Sequence, residues 1–219
     1  MKRNIDINDI SKLYTTDSMV PINCNDCAGC SECCHKVDDT IILDPFDIYN
    51  FYKGRGYTFK EMMGMEYIAL KVVDGIILPH INIKDNTKGC PFLNSEERCS
   101  VHQYRPGFCR LFPLGRIYRE DGFDYFIQSG ECNNPNKSKV KIKNWLGYEN
   151  IHEYEKYIFE WHSLLMKIEE RLAESGDVSS EKSRELNLLL LNIFFINDYP
   201  GEDFFTDFYN RKKVMESYM

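Results

Sequence analysis

The sequence predicts an α+β fold: a small cysteine-rich domain of helices and β-hairpins organised around a metal centre, followed by an antiparallel C-terminal helical pair. Three observations carry this expectation. Five cysteines fall within eleven residues, at Cys24, Cys27, Cys30, Cys33 and Cys34, and four more follow at Cys90, Cys99, Cys109 and Cys132. Two Asp-Gly dipeptides, Asp74-Gly75 and Asp121-Gly122, separate apolar runs, a strong short-range hairpin signal. From Ile151 to Leu172 apolar residues return at steps of three and four, which lays them along one face of a long helix.

Taken in order, residues 1–23 read as a polar N-terminal arm, 24–135 as a cysteine-cluster domain and 136–219 as a helical region. Asp44-Pro45 predicts a helix start, with Asp as N-cap and Pro in the first turn, and Gly54 is expected to close that helix. Thr58-Phe59-Lys60-Glu61 has the form of a capping box and predicts a second short helix. Met65–Val73 and Ile76–Ile83 form the first expected hairpin, and Gly115–Arg119 with Phe123–Gln128 the second. The turn-rich stretch Asn133-Asn134-Pro135-Asn136-Lys137-Ser138 marks the boundary. Beyond it, Ile151, Tyr154, Tyr157, Ile158, Trp161, Leu164, Leu165, Ile168 and Leu172 form the helical stripe, ended near Ser175-Gly176. A further helix, about Ser180 to Asn197, is apolar on most sides from Leu186 and is expected to be largely enclosed.

Composition narrows the function. At 219 residues, with 43% hydrophobic content, 14 Tyr and 14 Phe, the chain can bury a proper core. Its net charge of −7 argues against nonspecific binding to nucleic acid or to an anionic membrane surface. The run Lys137, Lys139, Lys141, Lys143 reads as a solvated linker face. The most apolar stretch, Leu186 to Ile196, contains Asn187 and Asn192 and falls short of the roughly 20 residues that span a bilayer. The opening residues never become apolar, so a cytoplasmic setting is expected. In that reducing compartment structural disulfides are rare, and nine cysteines read as metal ligands.

The spacing Cys24-x2-Cys27-x2-Cys30-x2-Cys33 puts successive thiolates within reach of one centre. Ferredoxins use such a run for iron–sulfur clusters, with a distant cysteine followed by proline, as at Cys90-Pro91. Structural zinc uses separated C-x2-C pairs, and Cys27/Cys30 supplies one. Both metals remain open, as does one centre against two. Cys33 and Cys34, being neighbours, are expected to point apart.

The segment Gly89-Cys90-Pro91-Phe92-Leu93 leads to Cys99-Ser100-Val101-His102-Gln103-Tyr104-Arg105-Pro106-Gly107-Phe108-Cys109-Arg110-Leu111-Phe112-Pro113. With Cys27-x2-Cys30-x2-Cys33-Cys34 it resembles the CxxCxxCC, or YkgJ-like, zinc- or iron-chelating family, a group that includes flagellin lysine N-methylases of bacteria. The resemblance covers about residues 24 to 135. It implies Cys27, Cys30, Cys33, Cys34, Cys90, Cys99, Cys109 and Cys132 as metal ligands, an iron–sulfur cluster or zinc as cofactor, and S-adenosylmethionine as a candidate methyl donor with a protein substrate or partner. Cys24 lies outside the pattern, as a spare thiol or substitute ligand. Arg105 and Arg110 match too, read either as a cationic fork for a carboxylate or thiolate centre, or as structural ion pairs. His102 and His35 read as packed, hydrogen-bonded residues, and His80, His152 and His162 as structural.

The radical S-adenosylmethionine spacing fails at Val37, and the chain has no G-x-G-x-x-G, Walker A, G-x-S-x-G or HExxH motif. Three functions stand: a cluster-containing enzyme similar to the lysine methylases, a non-catalytic metal-binding, electron-transfer or redox-sensing protein, and a structural zinc domain bearing a helical interaction surface.

Overall fold

A computed structural model describes residues 10, 12–24, 30–36, 40–83, 89–132, 134, 137–174, 180–199, 201 and 203–219. Cys27, most of the expected boundary (Asn133, Pro135 and Asn136) and the expected stop at Ser175-Gly176 lie outside the described residues.

The fold is α+β. Strand β1 (Met19–Asn23) precedes the short helix α1 (Glu32–Lys36), helices α2 (Pro45–Arg55) and α3 (Phe59–Gly64), and the hairpin β2 (Ile68–Val73) with β3 (Ile76–Ile81). A 3-10 turn at 102–104 leads to α4 (Gly107–Leu111) and the hairpin β4 (Leu114–Arg119) with β5 (Gly122–Ile127). Strand β6 (Ser138–Lys141), α5 (Ile142–Leu146), α6 (Ile151–Glu174), α7 (Glu181–Leu191), a π-helical turn at 192–196 and α8 (Phe204–Glu216) complete it. Among the described residues the strands form three antiparallel pairs, β1 with β6, β2 with β3 and β4 with β5.

Local chemistry accounts for most of these elements. Asp44 caps α2 in a reciprocal box with Asp47, and Thr58 caps α3 in the same way with Glu61. Asp74 and Gly75 both take positive φ, 51° and 82°, and make the two-residue turn of the first hairpin. Two-stranded sheets are marginal alone, and α7 supports this one. The Asn187 side chain accepts from Ile77 N at 2.6 Å and donates to Gly75 O at 3.1 Å. That explains an amide inside an otherwise apolar run.

Five expectations change. Helix α2 runs through Gly54 and ends at Gly56, in the left-handed conformation. Gly54 serves a close approach instead, because a Cβ there would overlap the Tyr104 ring. The second hairpin turns at Glu120-Asp121, since Arg119 pairs with Gly122. The lysine run is no linker face: β6 pairs with β1, and Lys143 meets Asp17 at 2.7 Å. The helical pair gains a third member, α8, capped by Asp203, whose Phe208 packs edge-on against Tyr157 of α6 at 4.6 Å. Residues Leu190, Leu191, Phe194 and Phe195 are buried as expected, but Leu188 is 57% exposed and points away from that core.

The main core joins these elements. On α6, Ile151, Tyr154, Tyr157, Ile158, Trp161, Leu164, Ile168 and Leu172 are all buried. They share one cluster with Val20 and Ile22 of β1, Phe51 of α2 and Leu114 of β4. Among the described residues no helix is long and apolar enough to cross a membrane.

Candidate metal centre

Thiols reach one region from three stretches of chain. The first is α1, where Ser31 O accepts from Cys34 N at 2.9 Å and from His35 N at 3.1 Å. Cys33 and Cys34 stay close enough for each to shift the other's titration. Cys90 docks beside them through its N–H, which donates to Cys34 O at 2.9 Å. Gly89 makes this possible. Its φ is 136°, and a Cβ there would lie 2.7 Å from Cys34 O and 3.1 Å from His35 Nδ1.

The second stretch folds back on itself. Asn94 Oδ1 accepts from Glu96 N at 3.0 Å and Arg98 N at 2.8 Å, which tightens the turn and pairs Leu93 with Cys99. Phe92 anchors it, buried and stacked on Phe51 of α2 at 5.3 Å. The third stretch is α4, which carries Cys109. Its first residue, Gly107, donates its N–H to Asp47 Oδ1 at 2.7 Å. Arg110 braces the same loop by donating to Arg105 O at 3.2 Å, Leu146 O at 3.4 Å and Gln103 O, while lying over the Tyr148 ring.

Electrostatics link these thiols. The hydrogen bond from Cys34 is the largest influence on Cys33 and pulls its pKa down to about 7, with the charge of Arg105 adding to the effect. The same bond, with burial, pushes the Cys34 thiol up. Burial raises Cys90 to about 11 and raises Cys99, where Arg105 and Arg98 oppose it. Cys109 is pushed well up by burial and then by the charges of Cys90 and Cys99. Near neutral pH one thiolate is therefore accessible and its neighbours hold their protons. A cation bound here would have to displace those protons, which makes its affinity rise with pH.

The remaining expected residues fall as follows. Cys30 and Cys132 are half-buried, and neither figures among the strongest electrostatic influences on the other five. Cys24 is buried in the hydrophobic core. Arg105 Nη1 lies 2.8 Å from His102 Nε2, and its charge acts on Cys33 and Cys99. His35 Nε2 faces Glu97 at 3.3 Å, and Ser31 donates to the same carboxylate at 3.1 Å. His80 is buried on β3, His152 is exposed beside Glu155 at 3.9 Å, and His162 stacks on Tyr118 at 3.6 Å. Cys30, Cys33, Cys34, Cys90, Cys99, Cys109 and Cys132 are free thiols.

Among the described residues no three His, Cys, Asp or Glu side chains stand ready-arranged around one ion. The donor chemistry does fit a soft metal: mutually acting thiols, with the Arg105 cation beside two of them. Sequence reasoning missed the carboxyl pair formed by half-buried Asp44 and buried Asp47. Burial pushes both above the usual carboxylate range, and at Asp47 the charge of Asp44 adds to it. The signal was present in the Asp44-x2-Asp47 capping box, but nothing local tied it to residue 107.

Residues 26–137 match the family model CxxCxxCC, described as "Putative zinc- or iron-chelating domain". No curated protein and no solved structure matches the chain.

Proposed function

Because the chain belongs to the CxxCxxCC family, we propose that residues 24–135 hold a thiolate-ligated metal centre, read first as iron–sulfur and second as zinc. What supports this reading is the mutual electrostatic influence of Cys33, Cys34, Cys90, Cys99 and Cys109, contributed by three stretches of chain. A single structural zinc takes four ligands. Five thiols, with Cys27, Cys30 and Cys132 in the same segment, favour a cluster or a second ion.

Each group has a role in this reading. Cys27, Cys30, Cys33, Cys34, Cys90, Cys99, Cys109 and Cys132 are the pool of ligands. Arg105 offsets the negative charge that several thiolates bring together. Arg110 spends its donors on carbonyls and holds the loop between residues 103 and 110 in shape. When bound, an iron–sulfur centre supplies one-electron capacity, and zinc supplies structure or Lewis acidity. A reducing compartment suits free thiols in this number.

The test is metal and sulfide analysis with a visible spectrum, on protein purified without oxygen. Brown protein containing iron and acid-labile sulfide, both lost in Cys109→Ala, is the expected result. Colourless protein with stoichiometric zinc selects the second reading. Metal-free protein whose cysteines all react freely with a thiol reagent, before and after incubation with iron, sulfide or zinc, would end the proposal.

A further inference from the structure

We propose that Asp47 is a positioning residue for the thiol cluster, its buried carboxyl group fixing the segment that carries Cys109 against helix α2. This rests on the thiolate-metal reading above and names a residue that none of the cysteine motifs contains.

Asp47 is 2% exposed, and both its oxygens are committed. Oδ2 accepts from Asp44 N at 3.0 Å and closes the capping box of α2. Oδ1 accepts from Gly107 N at 2.7 Å, across 60 residues of sequence. Gly107 opens the five-residue helix α4, so this bond sits two residues from Cys109. Among the described residues the other reciprocal box, at α3, provides an internal comparison. There Thr58 and Glu61 are solvent-accessible and the box serves its own helix alone.

A cap does not require a buried acid, because Asn, Ser or Thr caps a helix about as well. Burying a carboxylate is costly unless both oxygens are well bonded. A short carboxylate offers strong acceptors on two sides, and Gly107 N takes the second. Asparagine would present an NH2 group to one of the two N–H donors. The C-terminal region buttresses the same spot. Tyr157 of α6 accepts from Phe46 N at 3.1 Å and hydrogen-bonds Asp44, and Tyr154 Oη would lie 2.7 Å from a Cβ on Gly107. The carboxyl pair is thus fixed by α6 on one side and holds α4 on the other.

The experiment uses cobalt(II) as the probe, titrated into reduced full-length wild type, Asp47→Asn and Glu61→Gln. The readouts are thiolate-to-cobalt charge-transfer absorption per bound ion, affinity, and the unfolding midpoint. Outer partners of metal ligands are worth about 10–100-fold in affinity. Asp47→Asn should bind at least about tenfold more weakly, with less charge-transfer absorption per cobalt because Cys109 no longer reaches the ion. Glu61→Gln should lose some stability and bind as wild type does. A folded Asp47→Asn with wild-type affinity and absorption would overturn the inference while leaving the metal reading intact. Wild type without a thiolate band would overturn both. If Asp47→Asn does not fold, amide exchange at Gly107 in the wild type decides: protection supports the bond to Asp47, and exchange at the rate of an open loop refutes it.

Discussion

The C-terminal helices and the cysteine-bearing loops hold their shape by different means. Helices α6 and α8 and the π-helical turn bury Tyr157, Trp161, Phe194, Phe195, Phe204 and Phe208 against one another, with ring centroids 4.6 to 6.3 Å apart. Each ring touches several others, so the load is shared. In the cysteine region α1 and α4 have five residues each, too few to persist as isolated helices. Individual contacts set its course: Cys90 N to Cys34 O, Gly107 N to Asp47, and the Asn94 turn. One region is stabilised by redundant apolar contact, and the other depends on a few directional bonds and, in our reading, on a metal.

That contrast breaks or sharpens under four perturbations. The largest effect is expected from Phe208→Ala, which opens a void where the side chain is fully buried. Denaturant unfolding followed by circular dichroism should show a loss of about 3–5 kcal/mol. A loss under about 1 kcal/mol would mean that the aromatic cluster is not the scaffold described here.

Metal removal should act on the other region. Chelation of metal held at about 100 times its dissociation constant withdraws roughly 2.7 kcal/mol of stabilisation. Hydrogen exchange should then rise in residues 89–111 while α6 and α8 keep their protection. Uniform loosening of both regions would erase the distinction.

Gly54→Ala tests a joint between α2 and the Tyr104 turn. Alanine is the better helix former, yet its Cβ would overlap the Tyr104 ring. The overlap should win, with a net cost of about 1–3 kcal/mol, and thermal unfolding would expose the opposite sign at once.

The smallest effect concerns pH. Burial, the main cause, pushes His162 down to about 4, and its ring stacks on Tyr118. Unfolded histidine titrates near 6.5, so between those values the unfolded chain binds the extra proton. This contribution to stability is complete above about pH 6.5 and is lost as pH falls towards 4. His162→Gln should flatten that part of the stability profile relative to wild type, and two parallel profiles would contradict the assignment.

Features carried by neighbours in sequence were legible. Asp74-Gly75 specifies its turn because both residues tolerate positive φ, and the α6 stripe follows from helical periodicity. Both capping boxes are complete within four residues. Glycine misled at α2, because Gly54 and Gly56 look alike as helix stops and the Tyr104 ring alone separates their roles. Helix α8 was passed over although Asp203 and the run Phe204-Phe205 announce it, since aromatic spacing means little before the partner face is known.

The cysteine spacing carries soft-metal chemistry on its face, because thiolate chemistry depends on residue type and short intervals. Which thiols meet depends on bonds closed across long intervals, from Cys34 to Cys90 and from Asp47 to Gly107. No periodicity or propensity encodes such a pairing. Each bond becomes favourable once burial has removed water as the competing partner, and burial is a property of the packed chain.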